Sequence, residues 1–158
     1  MPPLGPPAPF PDSELPGLDR RSRPLSEAWR RGAALVAVGH SDCETSRLTL
    51  PFVDRIHRQA APAGTVVAVL QDEAVDAQAL VDELGLDMPV RLEAVPYPLA
   101  ARLGLATVPT LYLVDVRGRI ERVSEGFRRA DVEAFAARLG VPAPLFEPGD
   151  DAPALRPG

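Results

Sequence analysis

The sequence predicts an α/β domain, with a central mixed β-sheet flanked by helices on both faces. Three observations carry that prediction. Residues 33–38 are a continuous apolar run and 65–70 are apolar after Thr65, the composition of strands buried on both sides. Between and after them, apolar residues recur at helical spacing, so the strands are joined by crossovers and run parallel. Two alternating segments around Arg117-Gly118 then read as a hairpin, which adds antiparallel strands at one edge.

In chain order, residues 25–31 form a short helical segment and 33–38 the first buried strand. Over 43–60, Leu48, Phe52 and Ile56 repeat every four residues, as on one helix face. Residues 65–70 are the second strand. Residues 74–84 are a helix with Val75, Ala79 and Leu80 turned inward, stopped by Gly85. Residues 90–95 read as a third strand, and 99–103 as a short helix closed by Gly104. The hairpin strands are 110–115 and 119–124. The last amphipathic helix covers 131–139, with Asp131 near its start and Gly140 past its end.

The 158 residues suit one ordinary domain, and 46% hydrophobic with 25% charged residues is a globular composition. Eight of nineteen prolines lie in residues 1–24 and five in 142–157. These ends hold few apolar residues to offset their ordering entropy. The expectation is a Pro-rich extended arm at 1–24, a folded domain at 25–140 and a loose Pro-rich tail at 141–158. A net charge of −5 without a basic block argues against a nucleic-acid partner. No apolar run is long enough for a membrane span, and no signal-peptide pattern opens the chain, so the expected location is the cytoplasm. All seventeen basic residues are arginine, a bias of base composition.

There is one cysteine, which excludes an intrachain disulfide and a four-cysteine zinc site. Cys43 follows a buried strand and opens a helix. The unpaired N–H groups and partial positive charge of a helix N-terminus favour thiolate, the nucleophilic form. The C-terminal edge of such strands is also where α/β sheets place their sites. Arg47, one turn on, supports thiolate, as does His40 if protonated, whereas Asp42 and Glu44 oppose it by like charge. His57 and Trp29 read as helix-surface and core-packing residues.

Over nearly all of residues 25–140 the chain resembles the thioredoxin superfamily. Cys43-Glu44-Thr45-Ser46 stands where that family has Cys-x-x-Cys, and Pro51 where its helix kinks. Thr107-Val108-Pro109-Thr110 resembles the family's cis-proline loop, entering a strand, and Arg117-Gly118-Arg119-Ile120 its hairpin, followed by Gly126. The later half is most similar to thioredoxins of the membrane-anchored, cytochrome-maturation type. The resemblance implies a cis Val108–Pro109 peptide and a Val108 backbone edge that pairs with a bound substrate chain.

The chain departs from the family in four places. The resolving cysteine is Ser46, the aromatic residue before the first cysteine is Asp42, and His40 stands where a small residue is usual. The buried acid that assists the resolving thiol is replaced by Ala37. Joint loss of thiol and acid favours a natural one-cysteine protein over an engineered trap. The expectation is monothiol exchange. Cys43 would attack a protein disulfide or the disulfide of a low-molecular-weight thiol, Ser46, Val108 and Pro109 would shape the docking groove, and an external thiol would resolve the product. A one-cysteine peroxidase fits less well, because Val36 and His40 occupy the places of that family's Pro and Thr or Ser. An iron–sulfur monothiol glutaredoxin fits less well too, since the chain has no Gly-Gly. A non-enzymatic binding or redox-sensing module is the other class. The sequence implies no cofactor, no metal and no particular oligomeric state.

Overall fold

The computed structural model describes residues 2–158, and Met1 lies outside the described residues. A five-stranded sheet forms the centre. Its strands are β3 (Ala34–Gly39), β4 (Val66–Leu70), β5 (Val90–Leu92), β6 (Thr110–Val114) and β7 (Ile120–Glu125), in the spatial order β5-β4-β3-β6-β7. β3, β4 and β5 are parallel, whereas β6 pairs antiparallel with both β3 and β7. The mixed sheet is the one the apolar runs predict. β3 and β4, at its middle, are buried at every residue.

Strand alternation sorts the core into two layers. Leu35, Ala37, Ala68, Leu70 and Leu111 face α1 (Glu44–Gln59), α2 (Ala74–Leu84) and α4 (Arg129–Arg138). Val36, Val38, Val69, Tyr112 and Val114 face a 3₁₀ helix at Leu25–Trp29 and α3 (Pro98–Leu103). The segment read as a helix over 25–31 is that 3₁₀ helix. The expected third strand is shorter than its apolar pattern. It ends at Leu92, where Glu93 turns inward and accepts from the Leu99 and Ala100 N–H groups at the start of α3.

Two sequence expectations need correction. Val75 and Ala79 face outward, and α2 buries Ala77 and Leu80, with Val81 and Leu84 packed alongside. The buried set keeps the i, i+3, i+4, i+7 spacing of a helix face, in a different phase from the one Val75 suggested. The ends of the chain are also not loose. Phe10 is only 4% exposed and sits edge-on to Trp29 and Tyr112, with ring centroids 5.5 and 5.4 Å away. Its N–H donates to Gly118 O at 2.8 Å, and Ile120 N–H donates to Ala8 O at 2.9 Å, so the arm adds to the β6–β7 hairpin. A small hairpin, β1 (Glu14–Pro16) and β2 (Ser22–Pro24), brings Leu15 into the same layer.

At the other end, Val141, Leu145 and Phe146 are buried beside α4, and Phe146 packs on Phe52 and Phe127. The chain then returns to pair β9 (Leu155–Arg156) antiparallel with β8 (Phe127–Arg128). A few well-placed aromatic and aliphatic anchors thus order segments whose average composition is poor in apolar residues.

Candidate functional site

β3 ends at Gly39, and the loop 40–42 leads into α1 with Cys43 as its N-cap residue, in extended conformation. Cys43 Sγ accepts a hydrogen bond from Ser46 N–H at 3.3 Å and its thiol donates to Val108 O at 3.4 Å. The sulfur therefore stands at the positive end of a sixteen-residue helix, half-exposed, against the loop that precedes β6. An anion formed on this sulfur meets a helix N–H directly. Pro51 lies inside α1, two turns on.

The Val108–Pro109 peptide is cis. Pro109 O accepts from Gly126 N–H at 2.8 Å, and Thr110 Oγ1 donates to Thr107 O at 2.8 Å, so the loop is held from both sides. Cys43 and Ser46 are brought to the Val108–Pro109 loop, more than sixty residues further on in sequence. Ser46 is fully buried, and its hydroxyl accepts from His40 N–H at 3.3 Å, beneath the end of β3. Ala37 is buried within β3.

The other two predicted residues act on the loop and not on the sulfur. Arg47 Nε donates to Ser41 O at 2.7 Å, and its Nη1 pairs with Glu83 Oε2 at 2.9 Å, away from Cys43. His40 Nδ1 accepts from Asp42 N–H at 3.0 Å, and its Nε2 lies 3.8 Å from Asp72 Oδ1. His40 O in turn accepts from Cys43 N–H at 3.1 Å.

Sequence reasoning missed Asp72. It is 8% exposed, and its carboxylate accepts from both the N–H and the hydroxyl of Ser41. It ties the loop before Cys43 to the end of β4. The available signal was an acid two residues past a buried strand, a position on the same sheet edge as Cys43. Glu93, 1% exposed and directly after β5, was missed as well. Beside the cysteine, His40, Asp72, Glu93 and Tyr97 help to line a cleft of about 520 Å³ with a strongly acidic wall. Among the described residues, no group of three or more His, Cys, Asp or Glu side chains is placed to hold a metal ion. No helix among them is long and apolar enough to cross a membrane.

No family model matches the chain, and no curated protein matches it. Solved structures do. A thiol:disulfide interchange protein of the thioredoxin family from Chlorobium tepidum superposes with a TM-score of 0.69 at 20% identity, covering 84% of this chain and 96% of that one. The chain has the thioredoxin fold. A peroxidoxin, BcpB, from Mycobacterium tuberculosis shares that fold with a TM-score of 0.70 at 16% identity, over 85% of this chain and 95% of its own. An exposed lipoprotein thioredoxin from Streptococcus pneumoniae does so at 0.63 and 24%, over 78% and 96%. Within the thioredoxin fold, Cys43 and the Val108–Pro109 loop lie at one end of the sheet, and the hydroxyl of Ser46 stands one turn behind the sulfur.

Proposed function

We propose that this protein carries out monothiol exchange through Cys43. The Cys43 thiolate attacks one sulfur of a disulfide. A new S–S bond forms to Cys43 as the old one breaks, and the departing thiolate takes a proton from water. An external thiol, of a protein or of a low-molecular-weight compound, then attacks the Cys43 mixed disulfide and restores the free thiol. Electrons balance in each step, and no metal or cofactor is needed.

The observation that carries this reading is the placement of Cys43 Sγ between a helix N–H and the Val108 carbonyl, with an oxygen in place of a second sulfur at Ser46. The fold supports it, because similar structures include a thiol:disulfide interchange protein. In this reading the Val108–Pro109 loop borders the groove, Ser46 lies buried beneath the sulfur, and His40 and Arg47 are positioning residues that fix the loop 40–42. A cytoplasmic setting, with its pool of small thiols, suits the second step.

The test is to incubate the reduced protein with a peptide disulfide and analyse it intact. A single adduct should appear on Cys43, persist without added thiol, and be absent from Cys43→Ala. Absence of an adduct over hours near neutral pH would refute the reading. Partner capture retained by Cys43→Ala would favour the binding-module alternative instead.

A further inference from the structure

We propose that residues 155–158 are a built-in strap across the Cys43 groove, which an incoming extended chain displaces. The proposal deepens the exchange reading by assigning a gate to the same site.

The strap is seated through its backbone and one ion pair. β9 pairs with β8, and Arg129 N–H donates to Ala154 O at 3.0 Å just upstream. The two residues that follow Cys43 both hold it. Glu44 Oε2 accepts from Arg156 Nη2 at 2.7 Å, and the buried Thr45 donates its hydroxyl to Pro157 O at 2.7 Å. A Cβ on Gly158 would clash with Val108 O and lie 2.5 Å from Thr107 Oγ1, so only glycine fits against that loop. Gly126, at φ +70°, gives way in the same manner, since a Cβ there would meet Arg156 O at 2.7 Å. Val108 O is therefore approached by the cysteine thiol and by Gly158 together.

Two further features make this segment a gate and not a fixed plug. Residues 155–158 are all exposed, so little apolar burial retains them. The chain just before them is firmly anchored. Leu145 and Phe146 are buried, and Arg55 grips Asp150 with two hydrogen bonds, at 2.7 and 3.1 Å. A weak strap on a firm anchor reoccupies its site at high effective concentration, yet opens readily. What it offers the groove is an extended backbone, a cation for Glu44, a carbonyl for Thr45 and a residue without a side chain at Val108. An extended peptide competes for the same groups by strand addition.

The test compares the full chain with Gly158→Val and Arg156→Glu. Cys43 second-order rate constants are measured with iodoacetamide and with a peptide disulfide, and amide exchange is followed at Arg129. Release of the strap should raise the rate with the peptide disulfide by about tenfold in both variants, as the open fraction rises, and speed Arg129 exchange. Arg156→Glu is decisive, because losing a cation near the thiol would by itself slow the reaction. Wild-type rates in both variants, or slowing in Arg156→Glu with Gly158→Val unchanged, would overturn the gate. Faster alkylation and faster Arg129 exchange without any mixed disulfide would uphold the gate and refute the exchange reading.

Discussion

Replacing Phe10 with alanine asks whether the proline-rich segment before residue 25 belongs to the core. Phe10 is 4% exposed and lies edge-on to Trp29 and Tyr112, while its N–H binds Gly118 O. Truncating a buried phenylalanine costs about 3–5 kcal/mol, and each edge-on ring pair contributes roughly 0.5–1.5 kcal/mol beyond burial. The arm can peel away locally, which limits the penalty to its docking free energy, so the low end, about 3 kcal/mol, is expected. For a domain of this length that corresponds to a fall in Tm of roughly 6–12 °C. Trp29, the single tryptophan, reports the local change, because losing its partner ring wets the indole and red-shifts its emission. Calorimetry and tryptophan fluorescence on the same samples give both numbers. A loss under about 1 kcal/mol with unchanged Trp29 emission would refute the packed arm, since burial of this size cannot be energetically silent.

Three other changes probe the site and its frame. Ser46→Cys should yield a 43–46 disulfide on mild oxidation, because residues three apart at a helix start lie within disulfide reach; two free thiols persisting under oxidant would contradict the geometry. Glu93→Ala should cost about 1–3 kcal/mol in urea unfolding by leaving the Leu99 and Ala100 N–H groups unpaired, whereas Glu93→Gln, which keeps an acceptor, should cost clearly less. The Asp150 carboxyl is held well below its ordinary 3.8, at about 2, mainly by its hydrogen bond from Arg55 and then by the Glu147 N–H. A lowered folded value means its contribution is complete above about pH 4 and is lost as the pH falls through 2. Carboxyl NMR should show titration near 2, moving up towards 3.8 in Arg55→Gln.

The strands and the sulfur's position were legible because their signals are local. The uninterrupted apolar residues of β3 and β4 can only be buried on both faces, and a cysteine between such a strand and a helical repeat must cap that helix. The cis Val108–Pro109 loop was legible through resemblance, not through physics, since nothing local distinguishes Pro109 from an ordinary turn proline. The ends were misread because composition averages over a segment, whereas Phe10, Leu15, Leu145 and Phe146 each find a specific partner far away in sequence. The phase of α2 was misread because Val75 is the largest apolar residue in its first turn and yet faces outward. Asp72 and Glu93 carried only a positional signal, at the ends of strands, for a related reason. A buried carboxylate is tolerated only where N–H and hydroxyl donors converge on it, and that convergence exists only in three dimensions. Arg47 shows the converse, a residue in the right register whose side chain is drawn to Glu83 and the Ser41 carbonyl.

The central claim is that one sulfur begins an exchange which the chain cannot complete. Its most direct measurement is the release of chromogenic thiol from an aromatic disulfide under excess reagent, with and without added glutathione. Without glutathione, one equivalent should be released per chain, leaving a stable mixed disulfide on Cys43 and then no further reaction. With glutathione added after the excess reagent is removed, the free Cys43 thiol should return, with one further aromatic thiol and one oxidised glutathione formed per chain. A mixed disulfide that breaks down without external thiol, or a Cys43 no faster than a model thiol, would contradict it.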